Sequence, residues 1–225
     1  MFTDEVSGLV TKLDNPPDLK VRNSICCWQD LLGFGAPLYE CGWEPTDEEF
    51  RKIYKRLTAA QKEFFSNLTP FKEFGLVLND GSVKTTFTDE LGNFLDLSIW
   101  LRGCILAHLG VNRNESKAGL PGVRTILTHG KAMAHSHSEF RLDDFVYTYT
   151  KKNPDSLSQI AKVTGNPLVA MNPTPMQMNM AFSKAYILDS GGSKIGLSGS
   201  NVYLDDSFLN YIKEFKESFR PERRV

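Results

Sequence analysis

The stretch Ser24-Ile25-Cys26-Cys27-Trp28-Gln29 constrains the fold more than any other part of the chain. Its side chains alternate too little for a strand with one wet face, so it reads as a strand covered on both sides. Such a strand belongs inside a sheet, and this one is expected to be central. The run stops at a carboxylate, Asp30, and passes at once into Leu31-Leu32-Gly33-Phe34-Gly35, a turn with two glycines. A single acid in that position reads as a turn or helix cap. A later segment repeats the pattern, however: Phe87-Thr88-Asp89 is followed by Glu90-Leu91-Gly92.

The rest of the chain supplies the other layers. Thr46 with Glu49 three residues on forms a capping-box signature, and Phe50, Ile53, Tyr54, Leu57, Ala60 and Phe64 follow at helical spacing, which predicts one amphipathic helix to about Leu68. Residues 74–88 hold two strand-like runs around Asp80-Gly81, a dipeptide suited to a tight hairpin turn. From Leu95 to Leu109 the sequence is apolar almost all round, interrupted by Asp96, Arg102 and His108, and Gly110 is expected to end this core helix. A β-branched run, Val123 to Gly130, reads as a strand. Residues 135–144 look like a loop, 144–150 alternate like a strand, and 151–167 are polar. A further helix is expected to start at Thr174-Pro175 and stop at Gly191-Gly192. A short strand at 201–206 and an amphipathic helix at 207–219 close the chain. The whole, 1–225, reads as one domain with a polar lead over 1–22 and a frayed tail over 220–225.

Composition narrows the class. With 41% hydrophobic and 24% charged residues, the chain has the make-up of a globular protein. No apolar run reaches the roughly 20 residues needed to cross a bilayer, and the first residues lack the basic and apolar regions of a signal peptide, so a cytoplasmic protein without a membrane anchor is expected. The four cysteines, Cys26, Cys27, Cys41 and Cys104, follow neither a zinc nor a disulfide pattern and read as buried thiols. A net charge of −1 argues against binding to nucleic acid through a general basic face. An anionic ligand would have to be met by local positive charge or by metal.

Asp30 and Asp89 can supply the second. If the strands that end at these acids lie side by side, the two carboxylates converge at one edge of the sheet, where they raise each other's pKa unless a cation sits between them. Paired acids beside glycine-bearing turns suit one or two hard divalent ions on a triphosphate. The N–H groups of Gly33-Phe34-Gly35 can then point at phosphate oxygens.

These motifs carry a resemblance. WQDLLGFG resembles the first metal motif of class III nucleotidyl cyclases, VKTTFTDELG the second, and GLPGVRTILTHG the strand after their central helix. HSHSEFRLDDFVYTYT and NPLVAMNPTPMQMNMAFSKAYILDSGGSKIGL are similar to the pyrimidine cyclases of bacterial Pycsar anti-phage systems. The resemblance implies an α+β class III cyclase-like fold with a ferredoxin-like βαββαβ core. It implies conversion of UTP, or alternatively CTP, to the 3′,5′-cyclic monophosphate and pyrophosphate, and a downstream effector that reads the product. Two Mn²⁺ or Mg²⁺ ions per site would be held by Asp30, Asp89 and the carbonyl of Leu31. A head-to-tail homodimer would share its sites, one chain giving the acids and the other the late helix with Asn179 and Lys184. Ser183 shares a face with Asn179, and the arginine that purine cyclases carry on that helix is either missing or replaced by Lys184. Lys84 lies near where purine cyclases read the base, and either it or Arg124 could donate to a uracil carbonyl. Phe34, Tyr39 or Trp43 could fill the space a purine would occupy.

Other features read more plainly. His135 and His137 lack further zinc ligands nearby. Residues 190–194 lack the spacing of a phosphate loop and read as a helix stop. The competing functions are a purine cyclase and a catalytically dead cyclase-like domain that binds nucleotide; retention of both acids favours an enzyme.

Overall fold

A computed structural model gives the fold, and residues 20–67, 69, 73–134, 176 and 178–218 are described. The chain divides into two compact units, one of Arg22–Ala132 with Asn179–Val225 and one of Met1–Val21 with Met133–Met178. Nearly all of the described residues belong to the first. The expectations for 1–19, 135–175 and the tail, including the His135/His137 pair, lie outside the described residues. The helix expected from Thr174-Pro175 instead begins at Met180, after Met178 at φ 50 and an extended N-cap, Asn179.

The elements run β1 (Lys20–Leu31), α1 (Ala36–Glu40), α2 (Asp47–Ser66), β2 (Phe74–Leu78), β3 (Gly81–Phe87), a 3-10 turn (Thr88–Glu90), α3 (Phe94–Lys117), β4 (Val123–Ala134), α4 (Met180–Gly191), β5 (Val202–Leu204) and α5 (Asp206–Ser218). The sheet is mixed, in the order β2-β3-β1-β4-β5. β1 pairs antiparallel with β3, and β4 pairs parallel with β5. β1 is thus the central strand its composition predicts, and Ile25, Cys26 and Cys27 are fully buried.

The two faces of β1 pack differently. Ile25 and Cys27 join Leu97, Trp100 and Cys104 of α3 and Phe208 and Tyr211 of α5 in the main core. On the opposite face Trp28 meets Phe182 and Tyr186 of α4, with ring centroids 5.9 and 5.6 Å apart. Trp28 also lies against Gly81 of the neighbouring strand, where an added Cβ would stand 2.4 Å from the indole. Gly81→Ala is therefore expected to force the ring aside and to destabilise the fold by about 1–3 kcal/mol, read as a lower urea midpoint.

Helix ends follow from local chemistry, with two corrections. The Thr46–Glu49 capping box forms as expected. α3 does not stop at Gly110 but runs on to Lys117. Gly110 is buried where α2 crosses, and a Cβ there would lie 2.3 Å from the Glu63 carboxylate, so this glycine permits close helix packing instead of ending the helix. The hairpin turn is Asn79-Asp80, with Asn79 at φ 56, and Gly81 is already the first residue of β3.

Candidate functional site

Asp30 ends β1 on the same face as Trp28 and is only half-exposed. Burial, followed by the nearby carboxylates of Asp189 and Asp80, pushes its pKa up to about 7, against a smaller opposing effect of Arg124. Asp30 registers with Gly81, which brings the turn residue Asp80 near it, while Asp189, held by Arg124, acts on it more strongly than Asp80 does. The Leu31 N–H donates to the Asp80 carbonyl at 3.2 Å and ties the two turns together.

Asp89 is not part of this cluster. Because β3 runs antiparallel to β1, strands that lie side by side carry their acids to opposite ends: Phe87 registers with Ser24, six residues before Asp30. Asp89 is instead paired with Arg22, whose Nε donates to it at 2.8 Å while Nη2 reaches Glu90 at 2.8 Å. From sequence alone the dipeptide Asp80-Gly81 reads only as a turn, which hides the closeness of Asp80 to Asp30. The available signal was the antiparallel register, which brings a hairpin turn, not the end of its second strand, to the end of the neighbouring strand.

The turn after Asp30 is fixed from several sides. Leu32 N–H donates to the Gly122 carbonyl at 2.9 Å, Phe34 N–H to Leu31 at 3.4 Å, and Ala36 N–H to Gly33 at 3.3 Å. The N–H groups that these bonds leave over are those of Gly33 and Gly35. Gly33 has φ 63, a left-handed backbone conformation that favours glycine. Phe34 is buried with Leu31, Val111 and Val123 and packed by Leu38, Ile53, Leu57 and Ala60, so its ring anchors the turn and does not face a ligand. Below it Arg56 donates from Nη2 to the Leu32 carbonyl at 2.8 Å and to Glu115 at 2.7 Å, and from Nε to both Glu115 oxygens at 3.1 Å. This ion pair, from α2 and α3, is almost wholly buried and bolts the turn to both helices.

Other expected site residues are committed elsewhere. Lys84 is fully buried and donates to the Asn67 carbonyl at 2.6 Å, with Glu73 4.0 Å away. It registers with Cys27, so the two-residue period of the strand puts it on the sheet face opposite Asp30. Arg124 lies near Asp30 but spends its donors on Asp189 (2.6 Å to the carboxylate, 3.1 Å to the carbonyl) and on the Leu197 carbonyl at 3.0 Å. Neither is free to read a base. Tyr39 and Trp43 are 75% and 65% exposed.

Asn179 is the N-cap of α4: its Oδ1 accepts from Phe182 N–H at 3.0 Å, and its Nδ2 donates to Thr85 at 3.1 Å and Ser24 at 3.5 Å. Lys184 donates to Asp205 at 3.2 Å and to the His129 carbonyl at 3.3 Å. Asp205 caps α5, accepting from the Ser207 N–H at 3.0 Å, and these bonds together with Lys184 hold its pKa below the ordinary value despite partial burial. Asn179 therefore sits beside Ser24, about 20 Å along β1 from Asp30. Within one chain the two ends cannot meet on one small substrate.

The metal that the acids suggest can be tested against the donors. Asp30, Asp80 and the Leu31 carbonyl offer oxygen alone, which suits Mg²⁺ or Mn²⁺. Among the described residues no group of three or more His, Cys, Asp or Glu is arranged to hold an ion. In donor type these residues fit Mg²⁺, which commonly takes one or two carboxylates and completes its shell with water and phosphate oxygens.

No protein-family model and no curated protein matches the sequence. Among solved structures, the chain is similar to the guanylyl cyclase Cya2, at 14% identity over 85% of this chain and 79% of that one, with a TM-score of 0.46. It is similar to the dimeric guanylyl cyclase domain of the RhoGC fusion protein from the aquatic fungus Blastocladiella emersonii, at 11% identity over 87% and 86%, TM-score 0.44. It is also similar to the catalytic core of a rhodopsin-guanylyl cyclase with converted specificity in complex with ATPalphaS, at 10% identity over 88% and 85%, TM-score 0.45. These likenesses are of the α+β fold.

Proposed function

We propose that the chain is a nucleotidyl cyclase that closes UTP to cyclic UMP with release of pyrophosphate, CTP being the second candidate. The observation that carries the reaction class is the pair Asp30 and Asp80 at the end of the central strand, beside a rigid turn with two open N–H groups. An acid pushed up to about 7 by burial and like charge is poised for a cation. The choice of a pyrimidine rests on the sequence resemblance of residues 135–150 and 167–197. The donors that were to favour uracil, Lys84 and Arg124, no longer support it, and so UTP stands before CTP on that resemblance alone.

In this reading Asp30 and Asp80 hold the ions, and Asp80 replaces Asp89 in that role. Two divalent ions bound there would neutralise the triphosphate and make the ribose 3′-hydroxyl more acidic. Gly33 and Gly35 donate their N–H groups to phosphate oxygens, and the Arg56–Glu115 pair keeps those donors in place. The 3′-oxygen attacks the α-phosphorus, the bond to the pyrophosphate oxygen breaks in line, and the hydroxyl proton passes to solvent. The separation of Asp30 from Asn179 supports a head-to-tail homodimer in which the partner's late helix completes each site. In that dimer Lys184 would have to exchange Asp205 for substrate. A second-messenger role in anti-phage defence with an effector for the product rests on the same resemblance, and a cytoplasmic setting is proposed from the sequence features noted above.

The test is incubation of the purified chain with each of the four nucleoside triphosphates and Mn²⁺ or Mg²⁺, with products separated and weighed by mass spectrometry. Cyclic UMP should dominate. Turnover of ATP or GTP alone would overturn the pyrimidine assignment, and no product from any of the four would leave a nucleotide-binding domain. The shared site has its own check: mixing Asp30→Asn with Lys184→Ala chains, each inactive, should restore activity once subunits exchange.

A further inference from the structure

The outer surface of α3 carries a pattern that neither the core nor the site uses. Leu95, Ile99, Leu106 and Leu109 are 65%, 36%, 41% and 56% exposed. With the exposed Arg102 and Arg113 they follow one another at steps of four and three residues. That is the a/d spacing of a coiled-coil seam. The opposite side of the same helix supplies Leu97, Trp100, Cys104, Ala107 and Val111 to the interior. α3 is thus apolar on two sides while one of them faces out. Its 24 residues give length for about three heptads.

We propose that this stripe is a docking seam for an amphipathic helix of another protein, apolar at its own a and d positions and carrying a carboxylate opposite Arg102. Charge selects the partner. Arg102 stands in the middle of the apolar stripe, and no ion pair involving it is found among the described residues. Covering it with an uncharged helix would strip water from an unanswered guanidinium, which is costly. A carboxylate can meet the same group with two parallel hydrogen bonds. A single charged position in an apolar seam also fixes register and excludes wrong partners.

The same stripe on a second copy of the chain does not fit this description. The stripe Leu95, Ile99, Arg102, Leu106, Leu109, Arg113 contains no acid. A parallel self-pair sets Arg102 on Arg102, and the antiparallel registers set it on Ile99, Leu106 or Arg113. None of these supplies a carboxylate. Pairing of this stripe with itself therefore does not supply the acid.

Two fluorescent synthetic helical peptides of about three heptads test the seam. Both carry leucine at a and d, and they differ at one central d position, glutamate in one and lysine in the other. Titrated with the purified full chain, the glutamate peptide should saturate and bind at least about tenfold tighter than the lysine peptide. Arg102→Glu, a change at an exposed position, should invert that preference. Leu106→Asp should weaken the glutamate peptide by about tenfold or more while the circular dichroism stays unchanged. Equal binding of the two peptides, or no saturation by either, overturns the proposal. So does a dimer that Leu106→Asp dissolves, which gives the stripe to a second copy. Binding to phosphatidylcholine–phosphatidylglycerol vesicles that Leu106→Asp abolishes gives it to a lipid surface and overturns the proposal equally.

Discussion

Asp30→Asn is expected to abolish cyclic nucleotide formation and at the same time to raise the melting temperature of the metal-free protein. Both effects have one cause. In the fold the Asp30 carboxyl is pushed from 3.8 up to about 7, by burial first and then by Asp189 and Asp80. A carboxyl whose folded pKa is raised binds its proton more tightly in the native state, so its contribution to stability is complete below about pH 4 and is lost as pH rises through about 7. A tenfold change in proton affinity corresponds to about 1.4 kcal/mol. Solvent reaches part of the group, and screening leaves about 2 kcal/mol as the expected gain for the asparagine variant above pH 7, or about 4–8 °C. The difference between variant and wild type should shrink toward zero near pH 4. Added Mn²⁺ should stabilise the wild type and not the variant. Asp80→Asn should likewise lose turnover. Asp89→Asn, which loses an exposed pair with Arg22, should keep turnover within about twofold and cost under about 1 kcal/mol. Loss of activity in Asp89→Asn with full activity in Asp80→Asn would return the metal role to Asp89.

Arg56→Ala is expected to give the largest loss of stability of any single change at the site, about 3–5 kcal/mol, because it leaves Glu115 buried without a counter-charge. Both partners are nearly inaccessible, at 10% and 6% exposure. The change also frees the Leu32 carbonyl, which Arg56 holds at 2.8 Å. Arg56→Lys keeps the charge but not the fork that grips two acceptors at once, and it should lie between the two in a urea melt. Replacing the pair together, Arg56→Met with Glu115→Leu, should recover much of the stability, since no buried charge remains. It should not recover turnover, because the turn that carries Gly33 and Gly35 would still lack its anchor. Full activity in that double variant would show that the ion pair supports folding alone.

Much of the architecture was legible along the chain because it is set by contacts between near neighbours. The unbroken apolar run at 24–29 marked the central strand, the Thr46–Glu49 pair marked the start of α2, and the alternating runs at 74–87 marked a hairpin. These patterns depend on the period of a helix or strand and on local hydrogen bonding, which a sequence displays directly. The sequence pointed to Asp30 only through its likeness to Asp89, since an acid after an apolar strand reads by itself as a turn or helix cap. What lies next to Asp30 was settled only by strand direction. Antiparallel pairing sends Asp89 to the far end of β1 and brings Asp80 alongside Asp30, and one residue of register decides that Lys84 faces the core and not the site. Arg124 and Asn179 carry the right groups for a ligand, yet Asp189, Leu197, Thr85 and Ser24 occupy them, and those partners lie between 65 and 155 residues away along the chain. Local sequence fixes which groups are present and how each segment repeats. Which groups are left free to act depends on who their neighbours are across the sheet, and that is a property of the tertiary structure.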